Sequence, residues 1–288
     1  MIISVSVGDH EIGPGRRTFV VAEIGINHNG NLALAKELIT AAKDCGADAV
    51  KFQKRTVDIV YSPDELAMDR ESPFGTKNGD LKRGLEFGVA EYTEIDNYCS
   101  ELGIIWTASC WDEGSVDFIQ KFQPPFFKIA SASLTDDDLL KHHRNYPIPV
   151  ILSTGMSTIE QIDHAVKILG KNDLVLLHCT STYPSEPKEL NLRAIAALEQ
   201  HYQIPIGYSG HEVIFIPSFA AAVMGACVIE RHLTLDRAMW GSDQAASLEP
   251  MAFQRMVKYI RGLEEMMGDG KKRVYESELP IIKKLRRK

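Results

Sequence analysis

The sequence is short of the features that mark secreted, membrane-spanning or nucleic-acid-binding proteins. Its 288 residues include only 5 cysteines, which are dispersed and form no CxxC pair. No apolar run is as long as the roughly 18 residues of a membrane helix, and the N-terminus lacks the basic flank of a signal peptide. With 32 basic and 39 acidic residues, the net charge of −7 disfavours nucleic acid as a partner. These absences predict a cytoplasmic protein with reduced thiols and with neither a membrane nor a nucleic-acid partner.

The sequence also lacks the glycine-rich phosphate loops GxGxxG and GxxxxGKS, which mark dinucleotide-binding and P-loop proteins. What it does contain is ordinary for a globular enzyme, with 44% apolar and 25% charged residues.

Short apolar runs alternate along the chain with segments of helical periodicity. Eight such runs are present, and they read TFVVAEIG, ADAVKFQ, GIIWTAS, FFKIAS, PVILSTG, LVLLHCTS, IPIGYSG and ACVIERH. Each is followed by a helix-length segment, and eight strand-helix units are typical of a (β/α)₈ barrel, which needs about 250 residues. We therefore predict an α/β protein with a (β/α)₈ TIM barrel.

The predicted barrel occupies residues 18–268. Residues 1–17 alternate apolar and polar side chains and turn at GPG, which predicts an N-terminal β-hairpin covering the bottom of the barrel. Residues 269–288 are predicted to be a C-terminal tail, whose basic end KKLRRK is expected to be solvated. Residues 54–89 show little apolar periodicity, and we expect an irregular loop that overhangs the mouth of the barrel.

Two histidines follow neighbouring predicted strands. His211 comes directly after IPIGYSG, and His232 ends ACVIERH. Because parallel barrel strands end on one face, we expect the two imidazoles to converge. Converging imidazoles beside carboxylates suit a divalent metal such as Mn²⁺, Fe²⁺, Co²⁺ or Zn²⁺. The alternative is that each histidine only caps its strand.

Two lysines and a group of hydroxyls stand at other strand ends. Lys51 and Lys128 face inward in the predicted barrel, where they cannot easily reach solvent. The accompanying hydroxyl residues are Thr107, Ser131, Ser153, Thr154, Thr180, Ser181 and Ser209, and the acidic residues are Glu23, Glu230 and Asp243. Lysines among hydroxyls favour an anion such as phosphate or carboxylate. With a metal beside it, this site predicts a phosphorylated or carboxylated substrate that meets a carbonyl compound.

Three alternative interpretations of the same residues remain. Either lysine could form a Schiff base, as in barrel aldolases, although such an enzyme would not need the predicted metal. A metal-dependent barrel isomerase or phosphohydrolase shares the histidine and carboxylate site, but does not need two anion-binding lysines. A non-catalytic sugar-binding barrel is the alternative of another class.

The order of the motifs resembles a known family. FVVAEIGINHNGN, VKFQ, FFKIASAS, VILSTGMST, LLHCTSTYP, GYSGHE and ERHLTLD follow one another as they do in the sialic acid (nonulosonate) synthases. The resemblance extends from Phe19 to about Met267 and implies a TIM barrel. It also implies condensation of phosphoenolpyruvate with an open-chain mannose-type aldose, which yields a nine-carbon 2-keto-3-deoxy acid and phosphate.

The resemblance implies residue roles as well. His211 and His232 are implied to hold the metal, expected to be Mn²⁺ with Mg²⁺ or Co²⁺ as alternatives, and to form the catalytic group with Glu23. The implied phosphoenolpyruvate contacts are Lys51, Thr107, Lys128, Ser131, Ser153, Ser181 and Ser209. The implied sugar contacts are Gln53, Asn78, Tyr183 and Asp243.

Family members usually continue into a small antifreeze-like domain, which supplies an arginine to the N-acetyl group of the sugar. The sequence ends at Lys288 without such a segment, so we expect N-acetylmannosamine, mannose or mannose 6-phosphate as the acceptor. The last would define a deaminated sialic acid 9-phosphate synthase. A phosphorylated sugar could be bound by cations near the predicted mouth, namely Lys77, Lys82, Arg83 and Arg237. The family resemblance also implies a homodimer.

Overall fold

The computed structural model describes residues 2–287. Within that range the chain forms twelve strands: β1 Val5–Val7, β2 His10–Ile12, β3 Phe19–Gly25, β4 Ala49–Lys54, β5 Asp69–Ser72, β6 Gly75–Lys77, β7 Ile105–Cys110, β8 Phe127–Ile129, β9 Val150–Ser153, β10 Leu174–Cys179, β11 Ile206–Gly210 and β12 Val228–His232.

The same range forms twelve α-helices: α1 Leu32–Asp44, α2 Val57–Val60, α3 Pro63–Ala67, α4 Asn78–Leu85, α5 Val89–Leu102, α6 Glu113–Gln120, α7 Asp137–His143, α8 Ile159–Leu169, α9 Ala194–Tyr202, α10 Ile216–Val223, α11 Pro250–Met267 and α12 Leu279–Leu285. None of them is long and apolar enough to cross a membrane.

Eight parallel strands close into a barrel in the order β3, β4, β7, β8, β9, β10, β11 and β12. The barrel closes where β12 pairs with β3, with His232 opposite Glu23. Helices α1 and α5 to α11 connect or follow these strands along the chain. The predicted (β/α)₈ barrel is confirmed.

The inward-facing side chains change from apolar to ionisable between the two ends of the barrel. In β12, Val228 belongs to an apolar cluster at one end, whereas Glu230 and His232 line a cavity at the other. In β3, Val21 belongs to the cluster and Glu23 lines the cavity. Because side chains alternate across a strand, residues two apart share the interior, and in both strands the inward-facing ionisable residues follow the apolar one.

The N-terminal hairpin closes the apolar end. Strands β1 and β2 pair antiparallel, which confirms the predicted hairpin. Val5, Val7 and Ile12 pack in one cluster with barrel residues such as Phe126 and Val175. Burying these side chains in the barrel end removes their apolar surface from water, which stabilises both parts.

Helix α1 shows how the outer layer is built. Asn31 begins it, because its side chain accepts hydrogen bonds from the backbone N–H groups of Ala33 and Leu34. The buried residues Ala35, Leu38, Ile39 and Ala42 recur at helical spacing, so one face of the helix packs on the barrel.

The segment between β4 and α5 is regular, and the prediction of an irregular loop over residues 54–89 was wrong. It contains α2, α3, the antiparallel pair β5 and β6, and α4. Ser62 begins α3 through a capping box with Glu65, and Pro63 lies in its first turn. Such residues also form turns, and elements of three to eight residues are too short to show an apolar period.

Beyond α11, the chain forms the exposed helix α12 within the predicted tail. Met1 and Lys288, which end the predicted hairpin and tail segments, lie outside the described residues.

A buried carboxylate ties the last barrel helix to the first barrel strand. Asp48 accepts hydrogen bonds from Arg261 in α11 at 2.7 Å and from Arg17 at 2.8 Å. It also accepts from the backbone N–H of Val20 in β3 at 2.8 Å. One side chain thus holds three chain segments at the apolar end of the barrel.

We expect Asp48→Ala to lower the free energy of unfolding by about 2 kcal/mol, because it leaves the N–H of Val20 and the guanidinium of Arg261 without their acceptor. Urea unfolding followed by circular dichroism measures the change. The control is Asp44→Ala, which removes an exposed carboxylate at the end of α1 and is expected to change stability by less than about 0.5 kcal/mol. Equal stability of the two variants would contradict the prediction.

Candidate active site

A cavity of about 230 Å³ opens at the carboxyl ends of the barrel strands. Eleven of the residues predicted from the sequence line it: Glu23, Lys51, Gln53, Lys128, Ser131, Ser153, Ser181, Tyr183, Ser209, His211 and His232. They come from distant parts of the chain and meet because parallel barrel strands end at one rim.

Thr107 is one of three residues with a role implied by the family resemblance that do not line this cavity. It is fully buried, and its Oγ1 donates to the backbone O of Phe126 at 2.8 Å. Its side chain faces the barrel interior one layer below the cavity. Ser109, two residues further along β7, lines the cavity instead.

Asn78 and Asp243 are the other two residues that the resemblance assigns to the site but that do not line the cavity. Asn78 begins α4, where its Nδ2 donates to the backbone O of Glu65 at 3.0 Å. It therefore stabilises the inserted segment and lies in a separate surface pocket. Asp243 follows β12 in a half-buried loop, where its Oδ1 accepts from Ser242 at 2.7 Å. The structure does not bring either side chain into the cavity lining.

Four charged side chains share the floor of the cavity, and all four are buried. Lys51 Nζ lies 2.7 Å from Glu23 Oε2 and 3.8 Å from Glu230 Oε1. Lys128 Nζ lies 3.9 Å from the same oxygen of Glu230. We call Glu23, Lys51, Lys128 and Glu230 the charged quartet.

Burial and charge pairing oppose each other within the charged quartet. Burial acts to lower the pKa of Lys51, but Glu23 and Glu230 outweigh it and raise that pKa. At Lys128, burial prevails over the attraction of Glu230 and lowers the pKa. At Glu230, burial is outweighed by Lys128 and Lys51, and the pKa is lowered. Lys51 is therefore held as an ammonium group, and Lys128 is the easier of the two to deprotonate.

Serine hydroxyls surround the two lysines. Lys51 Nζ donates to Ser109 Oγ at 2.7 Å, and Lys128 Nζ donates to Ser153 Oγ at 2.6 Å. Ser209 Oγ donates to Glu230 Oε1 at 3.1 Å. The lysines thus contact serine hydroxyls as well as the carboxylates of the charged quartet, which suits a site that holds an anion by charge and by directed hydrogen bonds.

A glycine lets the backbone approach two more hydroxyls at the cavity wall. A Cβ on Gly155 would lie 2.2 Å from Ser181 Oγ and 2.9 Å from Ser131 Oγ. The N–H of Gly155 donates to Ser131 Oγ at 3.0 Å. A side chain at position 155 would displace both hydroxyls from the cavity.

Glu23 is held through a chain of contacts that reaches the inserted segment. Gln53 Nε2 donates to Glu23 Oε1 at 3.1 Å, and Gln53 Oε1 accepts from Arg55 Nη2 at 2.5 Å. Arg55 in turn pairs with Glu86 at 2.8 Å and donates to the hydroxyl of Tyr61 at 2.8 Å. Because Arg55 can only donate, it orients the amide of Gln53 so that the NH₂ group faces Glu23.

The two histidines converge at the rim. Their ring centroids lie 5.6 Å apart, and the Tyr183 ring lies 4.0 Å from that of His211. His211 Nδ1 donates to the backbone O of Thr180 at 2.8 Å, which leaves the lone pair of Nε2 available. His232 Nδ1 is buried without a hydrogen-bond partner. Burial, assisted by His232, lowers the pKa of His211 to about 3, so its imidazole is neutral.

This arrangement fits a divalent cation held by two imidazole nitrogens. Within residues 2–287 there is no cluster of three or more His, Cys, Asp or Glu side chains that could hold a metal. The protein would therefore supply two ligands and leave the other positions to water or substrate.

Four residues in or beside the cavity were missed or left without a role by the sequence patterns. Glu230 was noted as an acid, but its part as the shared counter-ion of both lysines is visible only in three dimensions. Ser109 could have been found by extending the two-residue period of β7 beyond Thr107. Arg55 and Trp111, whose groups lie 5.2 Å apart beside the cavity, follow strand ends without a distinguishing pattern.

The fold and the cavity define a (β/α)₈-barrel enzyme with two buried lysines beside a pair of histidines. Within that class, the chain belongs to the NeuB family, whose model matches residues 38–272. It is 39% identical to the N-acetylneuraminate-9-phosphate synthase of Homo sapiens, over 96% of this chain and 80% of that protein. It is 37% identical to the N,N'-diacetyllegionaminic acid synthase of Legionella pneumophila, again over 96% of this chain and 80% of that protein.

A solved structure is also similar throughout. The N-acetylneuraminic acid (sialic acid) synthetase from Leptospira borgpetersenii serovar Hardjo-bovis is 30% identical, and the match covers 100% of this chain and 99% of that chain with a TM-score of 0.87. The family resemblance of the motifs is thereby confirmed, and the protein is an enzyme of the nonulosonate synthase type.

Because Ser109 lines the cavity and Thr107 does not, we expect substitutions at the two positions to affect ligand binding and stability differently. Ser109→Ala should weaken the binding of inorganic phosphate about fivefold, because it removes a hydroxyl that contacts Lys51 in the cavity. Thr107→Val should leave phosphate affinity unchanged and lower the free energy of unfolding by about 1 kcal/mol through its lost bond to the backbone of Phe126. Titration calorimetry and urea unfolding measure the two effects. Weaker phosphate binding by Thr107→Val would contradict the assignment.

Proposed function

We propose that this enzyme condenses phosphoenolpyruvate with a mannose-type aldose, giving a nine-carbon 2-keto-3-deoxy acid and phosphate. The observation that carries the proposal is the charged quartet, in which two buried lysines face a cavity beside a histidine pair. Phosphoenolpyruvate carries a phosphate and a carboxylate, and two cations among hydroxyls suit such a doubly anionic ligand. The names of the similar synthases support the same product class.

The residues divide into an anion-binding part and a sugar-binding part. Lys51 and Lys128 bind the phosphate and the carboxylate of phosphoenolpyruvate through charge-assisted hydrogen bonds. Its remaining oxygens are bound by hydroxyl groups from Ser109, Ser131, Ser153, Ser181 and Ser209. Gln53 and Tyr183, which lie nearer the rim, contact the sugar.

The proposed reaction forms one carbon-carbon bond. Carbon 3 of phosphoenolpyruvate bonds to the aldehyde carbon of the sugar, and the aldehyde oxygen takes up a proton. Water adds at carbon 2, after which the bond between carbon 2 and the phosphate oxygen breaks. Glu23, which is held by Lys51 and Gln53, accepts the proton of the attacking water.

A divalent cation completes the proposal. His211 and His232 are its proposed ligands, and Mn²⁺ is the proposed ion, with Mg²⁺ or Co²⁺ as alternatives. When bound, such an ion supplies a Lewis acid that polarises the aldehyde. The neutral imidazole of His211 and the unpaired Nδ1 of His232 support this assignment. The proposed assembly is a homodimer.

The test is phosphate release from phosphoenolpyruvate with Mn²⁺ and, in separate reactions, N-acetylmannosamine, mannose or mannose 6-phosphate. We expect release that requires one of these sugars and stops after chelation of the metal with EDTA. Mass spectrometry of the product should show the nine-carbon keto acid. Release without sugar would indicate a phosphohydrolase, and conversion of sugar without phosphoenolpyruvate would indicate an isomerase, so either result would contradict the proposal.

A phosphorylated acceptor, giving a 9-phosphate product, is the second candidate. A second cavity of about 360 Å³ is lined by Arg70 and Lys82. The Lys82 ammonium lies over the Tyr61 ring at 4.8 Å. By contrast, Lys77 pairs with Asp69 at 2.6 Å and Arg83 pairs with Asp58 at 2.5 Å.

Arg237 is also engaged, because it donates to the backbone O of Ala245. Of the four cations suggested by the sequence, Lys82 is therefore the best placed to meet a phosphate.

If the acceptor is phosphorylated, Lys82→Ala should raise KM for mannose 6-phosphate about tenfold and leave KM for mannose unchanged, since only the former carries the anion. Steady-state kinetics with both sugars give the ratio. The matched control is Lys77→Ala, which removes a lysine already paired with Asp69 and should leave both KM values unchanged. If the ratio of KM for mannose 6-phosphate to KM for mannose is the same in both variants, Lys82 does not bind the phosphate.

A further inference from the structure

We infer that a buried ion pair outside the barrel, between Glu212 and Arg231, positions the two metal-binding histidines. Arg231 lies in β12 between Glu230 and His232, which both face the cavity. Strand alternation therefore directs Arg231 to the outer side of the barrel. Its side chain is fully buried there and lies 2.8 Å from Glu212 Oε1. The inference rests on the metal site of the proposed function.

The pair connects the two chain segments that carry the histidines. Glu212 directly follows His211 in the loop between β11 and α10, and Arg231 directly precedes His232. Arg231 also donates to the backbone O of Ile214 at 3.1 Å and to the backbone O of Glu212. The guanidinium thus holds both the side chain and the backbone of the loop. We call this pair the Glu212–Arg231 clamp.

Neighbouring side chains fix the clamp itself. Glu212 Oε2 accepts from the hydroxyl of Tyr208 at 2.9 Å. Ser218 Oγ lies 2.9 Å from Arg231 Nη1 and 3.2 Å from Glu212 Oε1. These partners come from β11 and α10, so the clamp joins the elements on both sides of the loop. Arrays of this kind allow few alternative side-chain positions.

Apart from the clamp, few contacts fix the loop between His211 and α10. Val213 and Ile214 are 40% and 51% exposed, so apolar packing of the loop begins only at Phe215, which packs against the barrel core. The other described contacts of His211 are its hydrogen bonds to Thr180 and Ser185 and its ring contact with Tyr183. With two imidazoles as the proposed protein ligands, a shift of this loop would change half of the protein's contribution to the metal site. The clamp orders the loop before the metal binds, which lowers the entropic cost of binding.

The test compares Mn²⁺ affinity of the metal-free protein by titration calorimetry in wild type and in the double variant Glu212→Leu/Arg231→Met. Replacing both members of a buried ion pair with apolar residues is often neutral for stability, so the double variant should fold. Its Mn²⁺ dissociation constant should rise about 10- to 100-fold, the usual effect of removing residues that orient metal ligands. Its affinity for inorganic phosphate, which reports on the lysines, should stay within about twofold of wild type.

Asp48→Ala is the matched control. It breaks a buried carboxylate contact at the opposite end of the barrel, so it lowers stability and should leave Mn²⁺ affinity unchanged. If the double variant does not fold, Arg231→Lys replaces it. A lysine can still pair with Glu212 Oε1, but it lacks the second nitrogen through which Arg231 Nη2 holds the backbone O of Glu212. An intermediate loss of Mn²⁺ affinity is expected for that variant.

Each outcome of the titrations leads to one conclusion about the clamp. Unchanged Mn²⁺ affinity in the double variant, or in Arg231→Lys if that variant is used, overturns the positioning role and leaves the proposed metal site intact. Parallel loss of Mn²⁺ and phosphate affinity also overturns it, because that result indicates general disruption of the barrel end. If wild type binds no Mn²⁺, both the proposed metal site and the clamp's role fail, whereas the reaction with phosphoenolpyruvate is tested separately by the release assay.

Discussion

Mutual compensation of buried charge is the constraint on which the active end of this barrel depends. An isolated ammonium or carboxylate is costly to remove from water. Glu230 lies between Lys51 and Lys128, and Glu23 pairs with Lys51. The charged quartet is neutral as a whole, although each member is buried. Removing any one of them leaves an unpaired charge among the others, so the four positions depend on one another.

Buried carboxylates are paired with arginines at two other places, on the outer side of the barrel. Asp48 holds Arg17 and Arg261 near the apolar end, and Glu212 holds Arg231 beside the histidines. The two pairs serve different neighbours, since the first joins a helix to the first barrel strand and the second fixes a loop at the rim. Strand alternation makes this division possible, because one strand can send ionisable residues inward and their supports outward.

The barrel and most of the site could be predicted from sequence. Eight apolar runs with polar ends predict parallel strands whose termini meet, and this is enough to bring Lys51, Lys128, His211 and His232 to one cavity. Depth within the barrel is harder to predict. Thr107 and Ser109 share a face and a chemistry, and only the stagger of the strands decides which one reaches the cavity.

The inserted segment was beyond prediction for another reason. Its elements are short and are stabilised by caps such as Ser62 with Glu65 and by ion pairs such as Arg83 with Asp58, none of which produces a periodic apolar pattern. The family resemblance implies a sugar contact for Asn78, whose side chain bonds to the backbone of Glu65 within the same segment. Glu212 and Arg231 were also beyond prediction, because a buried pair on the outside of a barrel leaves no mark in strand periodicity.

The hairpin plug also affects the order of events in the cavity. With Val5, Val7 and Ile12 packed into the opposite end, the cavity communicates with solvent through the rim that carries His211 and Tyr183. A ligand seated on the lysines lies behind any ligand seated at that rim. In a two-substrate reaction this arrangement favours a fixed order of binding. The deeper ligand binds before the outer one, and it dissociates after the outer one has left. Such a barrel would then show ordered binding and release.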